Sequence, residues 1–157
     1  MLKSLSITLD DREIVGKKLN KYKTKNYTMI VTEAGLLPFY SEWRVIDAWG
    51  LNDEFIAHKG LSFEYINKND PELIMFHAYD SQGDRIKNYS ENRNRWDLMV
   101  KKLYVYAVEK DYNLACIIKT AGGYGFHWYF VKKNFEHSTE IIDLLRNIKG
   151  VEYYYRE

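Results

Sequence analysis

The chain has 157 residues, nearly half of them apolar, which is enough for one domain with a buried core and argues against a disordered segment. Its 23 basic and 22 acidic residues almost cancel and the basic ones are scattered, so the concentrated basic surface of a nucleic-acid binder is missing. One cysteine, Cys116, excludes an internal disulfide and a cysteine-based zinc site, and no run approaches the roughly 18 apolar residues of a membrane span.

Residues 1–9 read as a short leader without a signal-peptide pattern. Asp10 and Glu13 then make a capping-box-like start for a helix whose apolar face is Ile14, Val15, Leu19 and Tyr22. The lysines of 17–25 form its solvated face and the turn after it, or approach an anionic lipid surface. Tyr27 to Thr32 is rich in β-branched residues and reads as a buried strand. The stretch from Thr32 to Gly60 mixes two Trp, two Phe, one Tyr, two Asp, three Glu, an Arg, an Asn and a His, a combination that a plain connecting loop does not need. Within it, Trp43 to Trp49 reads as a second strand, and Asn52 or Asp53 caps a short helix through Ala57. Ser62 caps another helical turn or two, Pro71 closes that segment, and Leu73 to His77 is a third buried strand. Helix then strand, repeated without a tight hairpin, predicts parallel pairing.

Residues 80–95 are the most polar segment and read as a mobile loop or lid. Trp96, Met99, Val100, Leu103, Tyr106 and Ala107 recur at three and four residues, marking a long amphipathic helix. Asn113 to Lys119 and Phe126 to Lys132 are strands joined by the Gly-rich turn Thr120 to Gly125, so this half of the sheet is antiparallel. Ile141, Ile142, Leu145 and Ile148 give a last helix stopped by Gly150, and Val151 to Tyr155 is an edge strand. The predicted fold is one α/β domain over 1–157, a three-layer arrangement with a mixed sheet flanked by helices.

Four histidines are present, and no two have the spacing of a helical zinc pair. His77 ends a parallel strand, where open α/β sheets bind ligands, and it serves equally well as a satisfied boundary residue. His127 reads as a sheet-face residue and His137 as an exposed helix start. The 120–125 turn lacks the Lys-Ser/Thr of a P-loop, and no nucleophile elbow, kinase or Rossmann signature occurs. Glu33 ends the first strand while Asp47, Asn52 and Asp53 surround the end of the second, so parallel strands should bring them to one edge. With Tyr40, Trp43 and Trp49 as stacking faces, and Arg44, His58 and His77 as further polar contacts, they make a carbohydrate surface. The same acids allow acid–base chemistry or a hard cation. Against these readings, Asp47 and Asn52 cap turns, Arg44 pairs with an acid and the aromatics are core. These patterns assign no catalytic residue, no cofactor and no metal ligand.

Glu33-Ala-Gly35, Pro38-Phe-Tyr-Ser41, Arg44-Val-Ile-Asp47, Gly50-Leu-Asn-Asp53, Ile56-Ala57 and Pro71-Glu-Leu-Ile74 together resemble a known domain. It is the soluble domain that follows the membrane helices of some bacterial GT-C type glycosyltransferases. These multi-pass enzymes use polyprenyl-phosphate sugars and include the arabinofuranosyl- and mannosyltransferase-like groups. The match covers about residues 10–80. The resemblance implies an extracytoplasmic accessory domain, excised or stand-alone, on the outer face of the cytoplasmic membrane beside a membrane-embedded glycosyltransferase portion. It implies no catalysis by this chain alone, because the family's catalytic carboxylate lies between membrane helices. A glycan or a polyprenyl-phosphate sugar acceptor or donor is expected near the Tyr40 to His58 loop, and no nucleic acid. Two other readings are a small hydrolase or transferase using the carboxylates with His77, and a structural docking domain.

Overall fold

The computed structural model describes residues 9–157; most of the leader lies outside that range. Helix α1 (Asp11–Leu19) continues as a 3-10 turn over Asn20–Lys25 and is followed by β1 (Thr28–Val31), α2 (Leu36–Ser41), β2 (Arg44–Asp47), α3 (Glu54–Lys59), α4 (Phe63–Asn69) and β3 (Leu73–Ala78). The second half comprises α5 (Gly83–Lys87), α6 (Arg95–Glu109), β4 (Tyr112–Lys119), β5 (Phe126–Lys132), α7 (Ser138–Arg146) and β6 (Tyr153–Tyr155). The strands form one sheet in the order β2-β1-β3-β5-β4-β6. The first three are parallel, and β3-β5, β5-β4 and β4-β6 are antiparallel. The expected mixed α/β sheet between helices is what the chain forms.

Period-two alternation divides the sheet's apolar side chains between two cores. Ile30, Ile74, Phe76, Trp128 and Phe130 pack with Ile56, Ile66, Ile86, Val100 and Leu103 from α3 to α6. Met29, Val31, Leu73, Met75, Tyr129 and Val131 face Val15, Leu19, Leu37, Ile141 and Leu145 from α1, α2 and α7. Covering both faces explains why β1 and β3 read as almost continuous apolar runs.

Three expectations change. Leu36–Ser41 is helix, not loop; Pro38 sits in its first turn, where a missing N–H breaks no helical bond, and Leu37 is fully buried. The polar segment 80–95 is anchored, not free as a lid. Ile86 and Tyr89 are buried, Tyr89 donates to an Asp80 carboxylate oxygen at 2.7 Å, and Lys101 Nζ donates to the Tyr89 carbonyl at 2.7 Å. The last helix ends at Arg146, four residues before the expected stop at Gly150.

Candidate functional site

The strand directions create the site. β1 and β3 run the same way, so their carboxyl ends are adjacent, while antiparallel β5 begins at that edge, with His77 and His127 as register partners. Glu33 lies two residues beyond β1, and the first turn of α1 brings Asp11 and Arg12 over the same side of the sheet. Glu33, His77 and His127 each offer one ligand atom, and these atoms all lie within 4.8 Å of one another.

The deepest member is Asp11, only 1% exposed. Its carboxylate accepts from His127 Nδ1 at 2.8 and 2.9 Å and from the Tyr129 hydroxyl at 2.5 Å. It occupies the first position of α1, where the helix dipole favours an anion. With Nδ1 engaged there, His127 turns Nε2 toward Glu33 Oε2, 3.4 Å away. Burial opposes the imidazolium, but hydrogen bonds and charge from Asp11 and Glu33 outweigh it and hold the His127 pKa up to about 9. Burial lifts the Tyr129 hydroxyl far above its ordinary range, with the Asp11 charge adding to it. His127 in turn lowers the Glu33 pKa, helped by Arg12, whose Nη1 donates to Glu33 Oε2 at 2.5 Å. Arg12 also forks onto Asp10, with contacts of 3.0 and 2.7 Å, which lowers the Asp10 pKa.

His77 differs from His127. Burial and then the neighbouring His127 charge push its pKa down, so it is neutral near pH 7. Its main chain is fixed on both sides, since its N–H donates to Thr32 Oγ1 at 3.0 Å and its carbonyl accepts from the Trp96 indole at 3.1 Å. The β4-β5 turn folds tightly over the ring. Gly125 has φ 125°, and a Cβ there would lie 2.7 Å from the Ala78 carbonyl oxygen and 2.8 Å from His77 Nε2. Tyr79, 69% exposed, stands edge-on to this half-buried imidazole, and Tyr124, 79% exposed, belongs to the same turn, its ring lying against Gly122. A carboxylate, an imidazole and a guanidinium thus lie beside one exposed aromatic ring, that of Tyr79, with Tyr124 on the adjoining turn.

Of the ten sequence-chosen residues, Glu33 and His77 come together here. Asp47 and Asp53 do not join the Glu33, His77 and His127 group, and backbone amides take up both carboxylates locally. Asp47, 3% exposed, accepts from the amides of Trp49 at 3.0 Å, Gly50 at 3.3 Å and Asn52 at 2.9 Å. Asp53 caps α3 through the Ile56 amide at 2.9 Å and accepts from the Tyr65 hydroxyl at 2.8 Å. Trp43 is a core residue, 6% exposed, whose indole donates to the Leu19 carbonyl at 3.0 Å. Arg44 meets Asn69, not an acid, at 2.8 Å. Tyr40 is half-buried under Lys17, while Asn52 and His58 are exposed. Trp49 is half-buried against Trp96 and Arg95 and borders a separate cavity of about 300 Å³ lined by Leu61, Met99 and Lys102.

Sequence reasoning missed Asp11, Arg12 and Tyr129 and gave His127 no role beyond its sheet face. The signal it could have used was a histidine and a tyrosine alternating inside an otherwise apolar strand, since a buried imidazole needs a partner. The partner is 116 residues away in sequence, beyond any local pattern.

The family described as "Domain of unknown function (DUF8728)" matches residues 7–141, most of the length, and the chain belongs to that family. No curated protein and no solved structure matches it. Among the described residues, no helix is long and apolar enough to cross a membrane.

Proposed function

We propose that the chain is a recognition domain, not catalytic by itself, of a lipid-linked-sugar glycosyltransferase system, and that it binds a glycan or the sugar of a polyprenyl-phosphate sugar. The observation that carries this reading is the carboxyl edge of the sheet. There Glu33 and neutral His77 present hydrogen-bonding groups, with the exposed ring of Tyr79 against His77 and the exposed Tyr124 on the turn that covers it. Acid and imidazole bond sugar hydroxyls while aromatic faces cover the apolar side of a ring. Open α/β sheets bind ligands at this edge. The resemblance over residues 10–80 supports the glycosyltransferase setting and an extracytoplasmic location beside a membrane-embedded portion. Several of its motif residues have structural duties, since Asp47, Gly50, Asp53 and Ile56 build one turn and the helix after it. The proposed ligand surface therefore moves from the Tyr40 to His58 loop to Glu33, His77, Tyr79 and Tyr124.

NMR titration with arabinofuranosyl and mannosyl oligosaccharides, and with a short-chain polyprenyl-phosphate sugar, tests this. Expected are shifts at Glu33, His77, Tyr79 and Tyr124. No shift at millimolar ligand, or shifts confined to the Trp49 cavity, overturns the reading.

A second reading, a small carboxylate–histidine hydrolase or transferase, is favoured by the Asp11–His127 pair beside Glu33. Turnover on a glycoside or phosphoester panel that disappears in Glu33→Gln would establish it and displace the recognition role.

A further inference from the structure

We propose that Glu33, His77 and His127 bind a divalent transition-metal ion of the zinc type. The inference shares residues with the recognition site but does not depend on a sugar binding there.

Two imidazoles and one carboxylate are a donor set suited to zinc, leaving a fourth position open. The spacing is compatible. His127 Nε2 and Glu33 Oε2 are 3.4 Å apart, close to the edge of a tetrahedron with bonds of about 2.1 Å. The remaining ligand atoms lie within 4.8 Å of each other, so closing around an ion takes a displacement of up to about 1.4 Å, shared by the half-buried His77 ring and the Glu33 carboxylate.

The surroundings of the donors argue for a built site. Metal-binding histidines commonly give their second ring nitrogen to a carboxylate, which fixes the ring and raises its basicity. Asp11 does this for His127, and Tyr129 and the start of α1 hold Asp11 in turn. Arg12 orients the Glu33 carboxylate through Oε2. His77 is pinned through both main-chain groups, and it pairs in register with His127, so two ligands come from adjacent strands. Rigid elements and supporting hydrogen bonds are what a preorganised site requires.

Charge points the same way. With both imidazoles neutral, as metal ligation requires, three carboxylates, Asp10, Asp11 and Glu33, face one guanidinium, Arg12, leaving two negative charges. A divalent cation neutralises that excess. The alternative is an ion cluster in which a protonated His127 supplies one positive charge and no metal enters.

The experiment uses the whole chain, tag-free and dialysed against chelator, titrated with Zn²⁺ by calorimetry and with Co²⁺ by visible absorption. One equivalent should bind, with the cobalt spectrum of a tetrahedral or five-coordinate site, and excess Mg²⁺ or Ca²⁺ should not compete. Glu33→Gln and His77→Gln should each weaken binding at least about tenfold, and Asp11→Asn by about 10- to 100-fold through His127. His58→Gln, on an exposed helix end, should change nothing. Because His127 is buried and its replacement can unfold the chain, the deciding substitutions are those of the partly exposed Glu33 and His77. Absence of stoichiometric binding, or binding indifferent to both substitutions, overturns the metal site. Sugar-induced shifts that persist in chelator while no metal binds would sink this inference alone. Metal binding without any sugar-induced shift would sink the recognition reading alone.

Discussion

Asp47 and Glu33 close neighbouring parallel strands at the same edge of the sheet, yet they end in opposite circumstances. Asp47 is buried and accepts three backbone amides of its own turn. Gly50 completes that turn at φ 88°, where a Cβ would lie 2.9 Å from the Ala57 nitrogen. Glu33 stays partly exposed and meets ionisable side chains from elsewhere, Arg12 and His127. Amides of a fixed turn leave a carboxylate nothing to give a ligand, whereas movable side-chain partners can be exchanged for one. Position at a sheet edge therefore does not make an acid functional; the nature of its partners does.

Substitutions can break or sharpen that contrast. The largest effect should come from beneath the site. Asp11→Ala leaves His127 and Tyr129 buried without their acceptor and should cost about 3–5 kcal/mol in urea unfolding. The same pair sets a pH dependence in chelator. The folded His127 pKa of about 9 lies above the unfolded value of about 6.5, so its stabilisation is complete below about 6.5 and is lost as pH rises through about 9. The thermal midpoint should fall over that window, and Asp11→Asn should flatten the fall.

Next comes the turn acid. Asp47→Ala strands three amides and should cost about 2–3 kcal/mol while leaving sugar and metal titrations unchanged. Its counterpart is the reverse. Glu33→Gln should alter stability by no more than about 1 kcal/mol yet abolish ligand-induced shifts. Smallest in stability is Tyr124→Ala, within about 0.5 kcal/mol, with glycan affinity reduced. If Asp47→Ala removed ligand binding and Glu33→Gln did not, the contrast between the two acids would be inverted.

Much of the architecture was legible because it depends on local periodicity. The apolar runs of β1 and β3, the three-and-four spacing of α6 and the glycines between β4 and β5 each carry their structure in neighbouring residues. The exceptions have physical causes. A six-residue helix at Leu36–Ser41 is too short to show a period, and its proline resembles a loop signal. Segment 80–95 looks mobile by composition because only a few of its residues, Ile86 and Tyr89 among them, anchor it. The site was half legible. Glu33 and His77 stand out as strand ends, but the aromatic-rich stretch drew attention to Trp43, which the core absorbed, and to Asp47 and Asp53, which local amides satisfied.

The sequence by itself determined the α/β class, the parallel first half, the hairpin and the edge at which chemistry could gather, since these follow from side-chain periodicity and turn residues. Only the tertiary structure decided which charged groups meet there. Asp11 reaches His127 and Tyr129 because α1 packs over one face of the sheet and β5 enters it beside β3, bringing together residues 116 and 118 positions apart. Burial then does what no local pattern encodes. It forces the imidazole and the hydroxyl onto a carboxylate, and it leaves Glu33 and His77 as the groups of that cluster within reach of a ligand.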